Sequence, residues 1–191
     1  QFETPYIIKD TYLDENGTLV TEYEYFDKVT YDANGNVLST NNDGIDRPLT
    51  LPKSGEMQAM SACAPIISSR LISETLVETN KKLGWHPDFP KEGNKNVSYF
   101  WFQNATKSVS FGLGVNYGAA SISVSISKGG GSGHSIKNPS PSYWMRPAVI
   151  ADVHKRVTEF NQKASCGLPA KTWRTTNYVP KKVWYRADRV S

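Results

Sequence analysis

Between Lys107 and Ile136 the sequence reads KSVSFGLGVNYGAASISVSISKGGGSGHSI, and apolar residues occupy every second position in two runs. The apolar positions are Val109, Phe111, Leu113, Val115, Tyr117, Ile122, Val124 and Ile126. Within each run the positions between them hold only serine, glycine or asparagine. A period of two is typical of a strand with one apolar and one polar face. Because Gly118-Ala119-Ala120 separates the runs, the stretch predicts an antiparallel hairpin.

A different periodicity follows Pro65. Apolar residues recur at roughly helical spacing, at Ile67, Leu71, Leu76 and Leu83, with Ile66, Ile72 and Val77 beside them. Proline suits the first turn of a helix, and Gly84 stands where a C-cap is expected. The sequence therefore predicts an amphipathic helix over residues 66–82, with the 108–127 hairpin covering its apolar stripe. The predicted fold class is mainly β, an antiparallel sheet or sandwich, with this α-helix packed on the sheet.

The N-terminal fifty residues contain an approximate repeat. Asn16-Gly17 and Asn34-Gly35 each lie between strand-like flanks, which indicates two hairpins with type I′ turns. The expected strands lie near 5–13, 18–27, 28–33 and 36–40. The repeat faintly resembles the tyrosine-aspartate repeats of large bacterial surface and toxin proteins, but two copies carry no function across. We predict a small acidic meander over 1–50, separable from a main domain over 51–191.

Charge divides the chain at about the same place. Residues 1–60 carry a net charge of −7 and residues 61–191 a net charge of +11. Such an asymmetry indicates an anionic partner for the basic part, or an acidic segment that neutralises it. Further strands are expected over 97–103, over 144–160 with a helix over 147–160 as the alternative, and around 173–178 and 182–187.

Cys63 and Cys166 are the two cysteines of the chain. An even count in a chain rich in serine, asparagine and tyrosine is typical of exported proteins, so we predict a disulfide between them and a secreted, extracellular location. The alternative is a pair of unpaired thiols. Neither cysteine lies in a metal-binding spacing, so no metal site is predicted.

No motif in the sequence indicates catalysis. The three histidines, His86, His134 and His154, have no spacing that pairs them with a nucleophile. The glycine run 129–133 lacks the residues of a phosphate-binding loop. We therefore predict no catalytic residue, no cofactor and a non-enzymatic protein, with an enzyme that carries no recognisable motif as the third alternative.

Aromatic and basic residues alternate near the C-terminus, which suits stacking on sugars and contact with anionic surfaces. The predicted binding residues are Trp173, Arg174, Lys181, Lys182, Trp184, Tyr185 and Arg186. The first functional hypothesis is an exported protein that binds an anionic polymer, a glycan or a membrane surface through these side chains. Nucleic acid is not a predicted partner, because no RNA-binding signature is present.

The second hypothesis is a membrane-active protein, pore-forming or antimicrobial, that uses the 108–127 hairpin. The stretch carries no charge between Lys107 and Lys128, and its alternation suits a bilayer-spanning hairpin. Its serine- and glycine-rich character resembles the insertion hairpins of aerolysin-like pore-forming toxins. That resemblance implies an oligomer, which we expect only if a pore forms. In the alternative the hairpin is simply half of a buried antiparallel sheet.

Overall fold

The computed structural model describes residue 2 and residues 4–42, 47–48 and 64–190. These residues form eleven β-strands and one short 3-10 turn, and the described ranges contain no α-helix. The predicted β class is therefore confirmed. The strands are β1 Tyr6–Leu13, β2 Leu19–Tyr25, β3 Lys28–Tyr31, β4 Val37–Asn41, β5 Arg47–Pro48, β6 Ile67–Trp85, β7 Tyr99–Gly112, β8 Ser121–Gly129, β9 His134–Lys137, β10 Met145–Gln162 and β11 Lys171–Arg189.

Two sheets organise these strands. The larger has the order β1-β2-β11-β10-β6-β3-β4-β5, and the smaller has the order β8-β7-β9. Three of the larger sheet's strands, β6, β10 and β11, are 18 or 19 residues long. The chain divides into two compact units, and each of these three strands has residues in both.

The predicted helix over 66–82 is wrong, because this segment is most of strand β6. Burial alternates at its start, where Ile67 and Ser69 are buried while Ser68 and Arg70 are exposed. Side chains branched at Cβ favour the extended chain, and six of them fall between positions 66 and 79. They are Ile66, Ile67, Ile72, Thr75, Val77 and Thr79. The β-branched residues favour a strand, and the spacing of the apolar residues matches a helix only approximately.

The long strand expected over 144–160 is confirmed as β10, and its helical alternative is not formed. The two strands expected around 173–178 and 182–187 are one continuous strand, β11. Pro180 lies inside β11 without ending it, because its fixed φ angle is compatible with extended backbone.

The four N-terminal strands are confirmed, but their turns differ from the type I′ expectation. In the first loop Asp14 Oδ1 accepts hydrogen bonds from the backbone N–H groups of Asn16 and Thr18, both at 2.9 Å. The second loop repeats this geometry around Asp32. Positive φ occurs at the glycine of each loop (76° and 86°) and not at the asparagine before it, as a type I′ turn would require. The aspartate side chain thus organises each turn.

The two N-terminal hairpins occupy different places in the larger sheet. Strand β2 pairs with β11, with Lys182 opposite Glu22, whereas β3 pairs with β6. The proposed boundary near residue 50 lies outside the described residues. That residues 1–50 can be separated from the rest stays a prediction.

Unit one comprises residues 1–7, 24–74 and 156–177. Its core is aromatic: the ring of Trp173 stacks on that of Phe160, with centroids 5.4 Å apart. The other members of this cluster are Val29, Tyr31 and Ile67, with Phe2, Phe26 and Val37 packed against them.

Unit two comprises residues 8–23, 75–155 and 178–191 and contains the smaller sheet. One face of that sheet is buried, through Phe100, Phe102, Ile122, Val124, Ile126 and Ile136. The larger sheet contributes buried side chains to the same unit, among them Val149 and Val153 of β10 and Val183 and Tyr185 of β11.

Candidate functional site

The candidate site is the hairpin of β7 and β8, which the sequence predicts correctly. The two strands are antiparallel and in register from Thr106 to Gly112. Directly opposed residues share a face of the sheet, so the register separates an apolar face from a serine face. The apolar pairs are Val109–Val124 and Phe111–Ile122, and the serine pairs are Ser108–Ser125 and Ser110–Ser123.

The tip of the hairpin is a loop over residues 113–120 rather than a tight turn. The first strand ends at Gly112, five residues earlier than the alternation suggests, and a 3-10 turn follows over Val115–Tyr117. Glycines on both sides of this turn, Gly114 and Gly118, have φ angles of 87° and 65°, which end the extended chain. Within the loop the side chain of Leu113 is buried, whereas Val115 is 95% exposed.

A tyrosine at the tip ties the loop to strand β6. The hydroxyl of Tyr117 donates a hydrogen bond to Glu78 Oε2, and this bond raises the pKa of Tyr117 to about 12. The ring of Tyr117 also meets the ring of Tyr178 edge-on, with centroids 5.1 Å apart. Lys81 Nζ lies 5.2 Å from the Tyr117 ring centroid. These contacts hold the tip of the hairpin against the larger sheet, and we call Tyr117 with its hydrogen bond to Glu78 the latch.

The apolar face of the hairpin covers a sheet, not the helix that the sequence predicts. The ring of Phe111 lies against Gly84 of β6, where a Cβ atom would come within 3.1 Å of Phe111 Cδ1. On β2, the hydroxyl of Tyr23 donates a hydrogen bond to the carbonyl oxygen of Ser125 at 3.3 Å. The hairpin is therefore held along its length by side chains of the larger sheet.

A fully buried histidine holds the base of the hairpin. His86 Nδ1 accepts a hydrogen bond from the Asp88 N–H at 3.1 Å, which leaves Nε2 to donate to the Ser127 carbonyl at 2.6 Å. The Ser127 N–H in turn donates to the Tyr185 hydroxyl at 2.7 Å. This arrangement requires neutral imidazole with its proton on Nε2. Burial, the largest cause, lowers the pKa of His86 and favours that neutral form.

An ion pair holds β7, the other strand of the hairpin, at the same end. Lys107 donates a hydrogen bond to Asp88, and this contact is the main reason that the pKa of Asp88 lies below its ordinary value. His86 and Tyr185 form hydrogen bonds with the backbone of Ser127, and Asp88 pairs with Lys107. We call His86, Asp88 and Tyr185 the base anchor.

The residues predicted to bind an anionic or glycan surface fall in both units. In unit one Trp173 packs into the aromatic core, and Arg174 Nε donates to Glu159 at 3.1 Å. In unit two Lys182 lies 3.8 Å from Glu22 and Arg186 makes two hydrogen bonds with Asp188. Lys181 and Trp184 are half-buried.

Tyr185 occupies a different environment from its neighbours on β11. Its ring is 6% exposed and stacks on Phe102 with centroids 4.7 Å apart. Burial raises the pKa of this phenol. In this conformation Tyr185 serves the base anchor rather than an exposed surface.

A cleft of about 520 Å³ lies beside Trp184 in unit two. Trp184 and Arg186 line one side, and Asp14 and Asn16 of the first N-terminal loop contribute polar groups. An aromatic ring beside hydrogen-bonding groups and a cation is a combination that can hold a sugar. The cleft brings together three of the predicted binding residues, Trp184, Tyr185 and Arg186.

One of the two cysteines predicted to form a disulfide lies among the described residues. Cys166 lies in the turn before β11 with a φ angle of 42°, whereas Cys63 lies outside the described residues. The pairing stays a prediction. Among the described residues, no group of histidine, cysteine and acidic side chains could hold a metal ion.

Sequence reasoning missed the residues that hold the hairpin in place. From sequence, His86 is a candidate only for a catalytic base, although the turn Trp85-His86-Pro87-Asp88 stands out. Glu78 carries no local signal, because its pairing with Tyr117 joins positions 39 residues apart.

Comparison with known proteins yields no relative: no protein family, no curated protein and no solved structure matches this chain. Among the described residues no helix is long and apolar enough to cross a membrane. Fold and site together describe a mainly antiparallel β protein with an uncharged, two-faced hairpin held by side-chain anchors.

Proposed function

We propose that this protein is an exported, membrane-active protein and that residues 108–127 enter a bilayer as a β-hairpin. The observation that carries the proposal is the register of β7 and β8, which puts apolar residues on one face and serines on the other. No charged residue lies between Lys107 and Lys128. A hairpin of this kind can face lipid with one side and water with the other.

The length of the uncharged stretch supports the same function. A strand needs about 9–11 residues to cross the hydrocarbon core when tilted. With a two-residue turn, the uncharged residues 108–127 leave about nine for each strand, so most of the loop 113–120 would have to become extended. Its positive-φ glycines can adopt extended backbone angles at little cost.

Transfer to a bilayer would keep the apolar face of the hairpin away from water. The apolar face, buried at Ile122, Val124 and Ile126, would exchange a protein interior for lipid and keep its removal from water. In the hydrocarbon region no water is present to satisfy the backbone N–H and C=O groups at the edges of the hairpin. Hairpins from several copies of the protein must therefore pair side by side. The proposed active form is therefore an oligomer with the serine faces toward an aqueous lumen.

The test is release of a dye from anionic vesicles, with the hairpin free or fixed to the body. Gly84→Cys combined with Phe111→Cys places two thiols where the hairpin meets β6, and a short thiol-specific crosslinker joins them. We expect the uncrosslinked variant to release dye and the crosslinked one to release none while it stays folded. The single variant Phe111→Cys, treated with the same reagent, is the control. Release by the crosslinked protein would contradict the proposal.

A second function rests on the cleft beside Trp184. There the protein would bind a glycan or another anionic polymer without entering a membrane, as the first hypothesis from the sequence states. Trp184→Ala should then abolish retention on immobilised acidic polysaccharide, whereas Trp173→Phe, a change in the core of unit one, should not. Equal retention of wild-type protein and Trp184→Ala would exclude this role for the cleft.

A further inference from the structure

The outer face of the smaller sheet carries large aromatic side chains. Tyr99 and Trp101 of β7 are 48% and 54% exposed, and their rings lie 6.1 Å apart. Across the strand pair, Tyr99 lies opposite Lys137 and Trp101 opposite Ser135 of β9. Side chains at directly opposed positions share a face, so the two aromatic rings lie with a lysine and a serine.

These rings are not needed to fill the core. The other face of the same strands already buries Phe100, Phe102 and Ile136. An antiparallel sheet that covers a core on one side normally turns polar residues outward. The register of β7 shifts between Phe102 and Thr106, and beyond this irregularity the exposed positions include Ser108 and Ser110. The aromatic residues are thus confined to the part of β7 that precedes the hairpin.

A neighbouring loop adds two further aromatic residues. Tyr143 and Trp144 are 46% and 47% exposed. Their loop is tied to the segment before Tyr99 by hydrogen bonds from Asn96 N–H to the Pro141 carbonyl, 2.8 Å, and from Asn138 N–H to the Ser98 carbonyl, 2.9 Å. The guanidinium of Arg189 lies 3.8 Å from the Tyr143 ring centroid. Here too a cation accompanies exposed rings.

We propose that Tyr99, Trp101, Tyr143 and Trp144 form an aromatic surface that docks the protein onto the headgroup region of an anionic bilayer. Tryptophan and tyrosine prefer this region because their rings are apolar and their N–H and O–H groups still reach water. Lys137 and Arg189 supply charge complementary to anionic lipids. The inference rests on the proposed membrane activity, and names the surface that makes first contact.

The position of this surface on β7 favours a bilayer over other partners. Trp101 lies six residues before Lys107, after which the uncharged hairpin begins, and both residues belong to β7. A protein bound to lipid through Trp101 therefore has its hairpin covalently continuous with the docked element. A glycan partner would have no need of that continuity, and it is one outcome of the test.

The test is co-sedimentation of the whole protein with vesicles of phosphatidylcholine and phosphatidylserine. The double variant Tyr99→Ser with Trp101→Ser should bind at least about tenfold more weakly, from the apolar area lost. Leu168→Ser removes a side chain of similar exposure, 45%, and should bind like the wild type. Lys137→Glu, at another exposed position, should weaken binding to these vesicles but not to neutral ones.

The outcomes separate this inference from the proposed function. Binding that is lost in the double variant supports the surface, even if no variant ever releases dye and the pore proposal falls. Equal binding of wild type and double variant overturns the surface, whatever the dye shows. Loss of binding to immobilised polysaccharide, with vesicle binding unchanged, would assign the rings to a glycan and also overturn it. Circular dichroism of each variant confirms that it is folded.

Discussion

At the scale of single residues, the base of the hairpin depends on one protonation state. Neutral His86 accepts a hydrogen bond from the Asp88 N–H at Nδ1 and donates one to the Ser127 carbonyl from Nε2. A second proton on Nδ1 would turn it into a donor that faces another donor, the Asp88 N–H. The charged groups around the ring act in opposite directions: Asp88 favours the imidazolium, whereas Lys107 and Arg146 disfavour it. Burial is the largest influence, and the folded protein keeps His86 neutral.

The first prediction is a loss of stability in mild acid. The pKa of His86 is lowered in the folded protein, so the unfolded chain takes up the proton first as the pH falls. The stabilisation from neutral His86 is complete above the ordinary histidine pKa, about 6.5, and is lost as the pH drops below it. Burial lowers the pKa of His134 too, so both histidines act in the same direction.

Urea unfolding measured at a series of pH values tests this. The free energy of unfolding of the wild type should fall below about pH 6.5, and His86→Gln should show a shallower fall because one of the two groups is gone. His154→Gln controls for the loss of a histidine as such. An unchanged pH dependence in His86→Gln would contradict the assigned role.

The second prediction concerns the latch at the hairpin tip. Tyr117→Phe removes the hydrogen bond to Glu78 but keeps the ring, and the loss of one such bond costs about 1 kcal/mol. If release of the tip limits insertion, dye release should become roughly fivefold faster. Glu78→Gln keeps an acceptor oxygen and should change the rate less. A slower Tyr117→Phe protein would show that the latch does not oppose insertion.

At the scale of elements, the serine face of the hairpin is what distinguishes a pore from a packed sheet. Ser123 lies opposite Ser110 and is exposed in the folded protein, so a new charge there leaves the core intact. In the proposed pore the same position lines the aqueous lumen. A side chain with no structural role in one state thus controls ion passage in the other.

The third prediction follows directly. Ser123→Lys should shift the selectivity of channels in planar bilayers toward anions, because lumen charges attract counterions. Stability in urea should change by less than about 0.5 kcal/mol. Ser132→Lys, at an exposed position in the glycine loop after β8, is the matched control and should leave the reversal potential unchanged. An identical reversal potential in Ser123→Lys would place the serine face outside the lumen.

The strands also differ in how well the local sequence pattern predicts them. The hairpin was predictable because strict alternation indicates a strand with one buried face. The pattern of β10 is less decisive, since eight of its first nine residues are buried, and a helix remained the alternative there. Strand β6 was not predicted, because its apolar residues are spaced roughly as in a helix; its β-branched residues and its pairing with β3 favour the strand. The anchors Glu78 and Tyr185 were beyond prediction as anchors, since their partners lie 39 and 58 residues away.

At the scale of the whole molecule, the acidic N-terminal part is integrated into the larger sheet. Strand β2 pairs with β11, where Lys182 lies opposite Glu22, and β3 pairs with β6. Deleting residues 1–50 would therefore expose strand edges as well as remove negative charge. The effect of the acidic segment on surface binding is better tested by neutralising exposed carboxylates.

The fourth prediction is that binding to anionic vesicles is electrostatically driven and opposed by the N-terminal acids. Affinity should fall by about tenfold between low and high salt, because screening shortens the reach of the +11 segment. Asp10→Asn with Glu15→Gln removes two exposed negative charges and should strengthen binding at low salt but not at high salt. Lys9→Gln, on the same strand as Asp10, should act in the opposite direction. An affinity that is independent of salt would instead assign the binding to the aromatic surface alone.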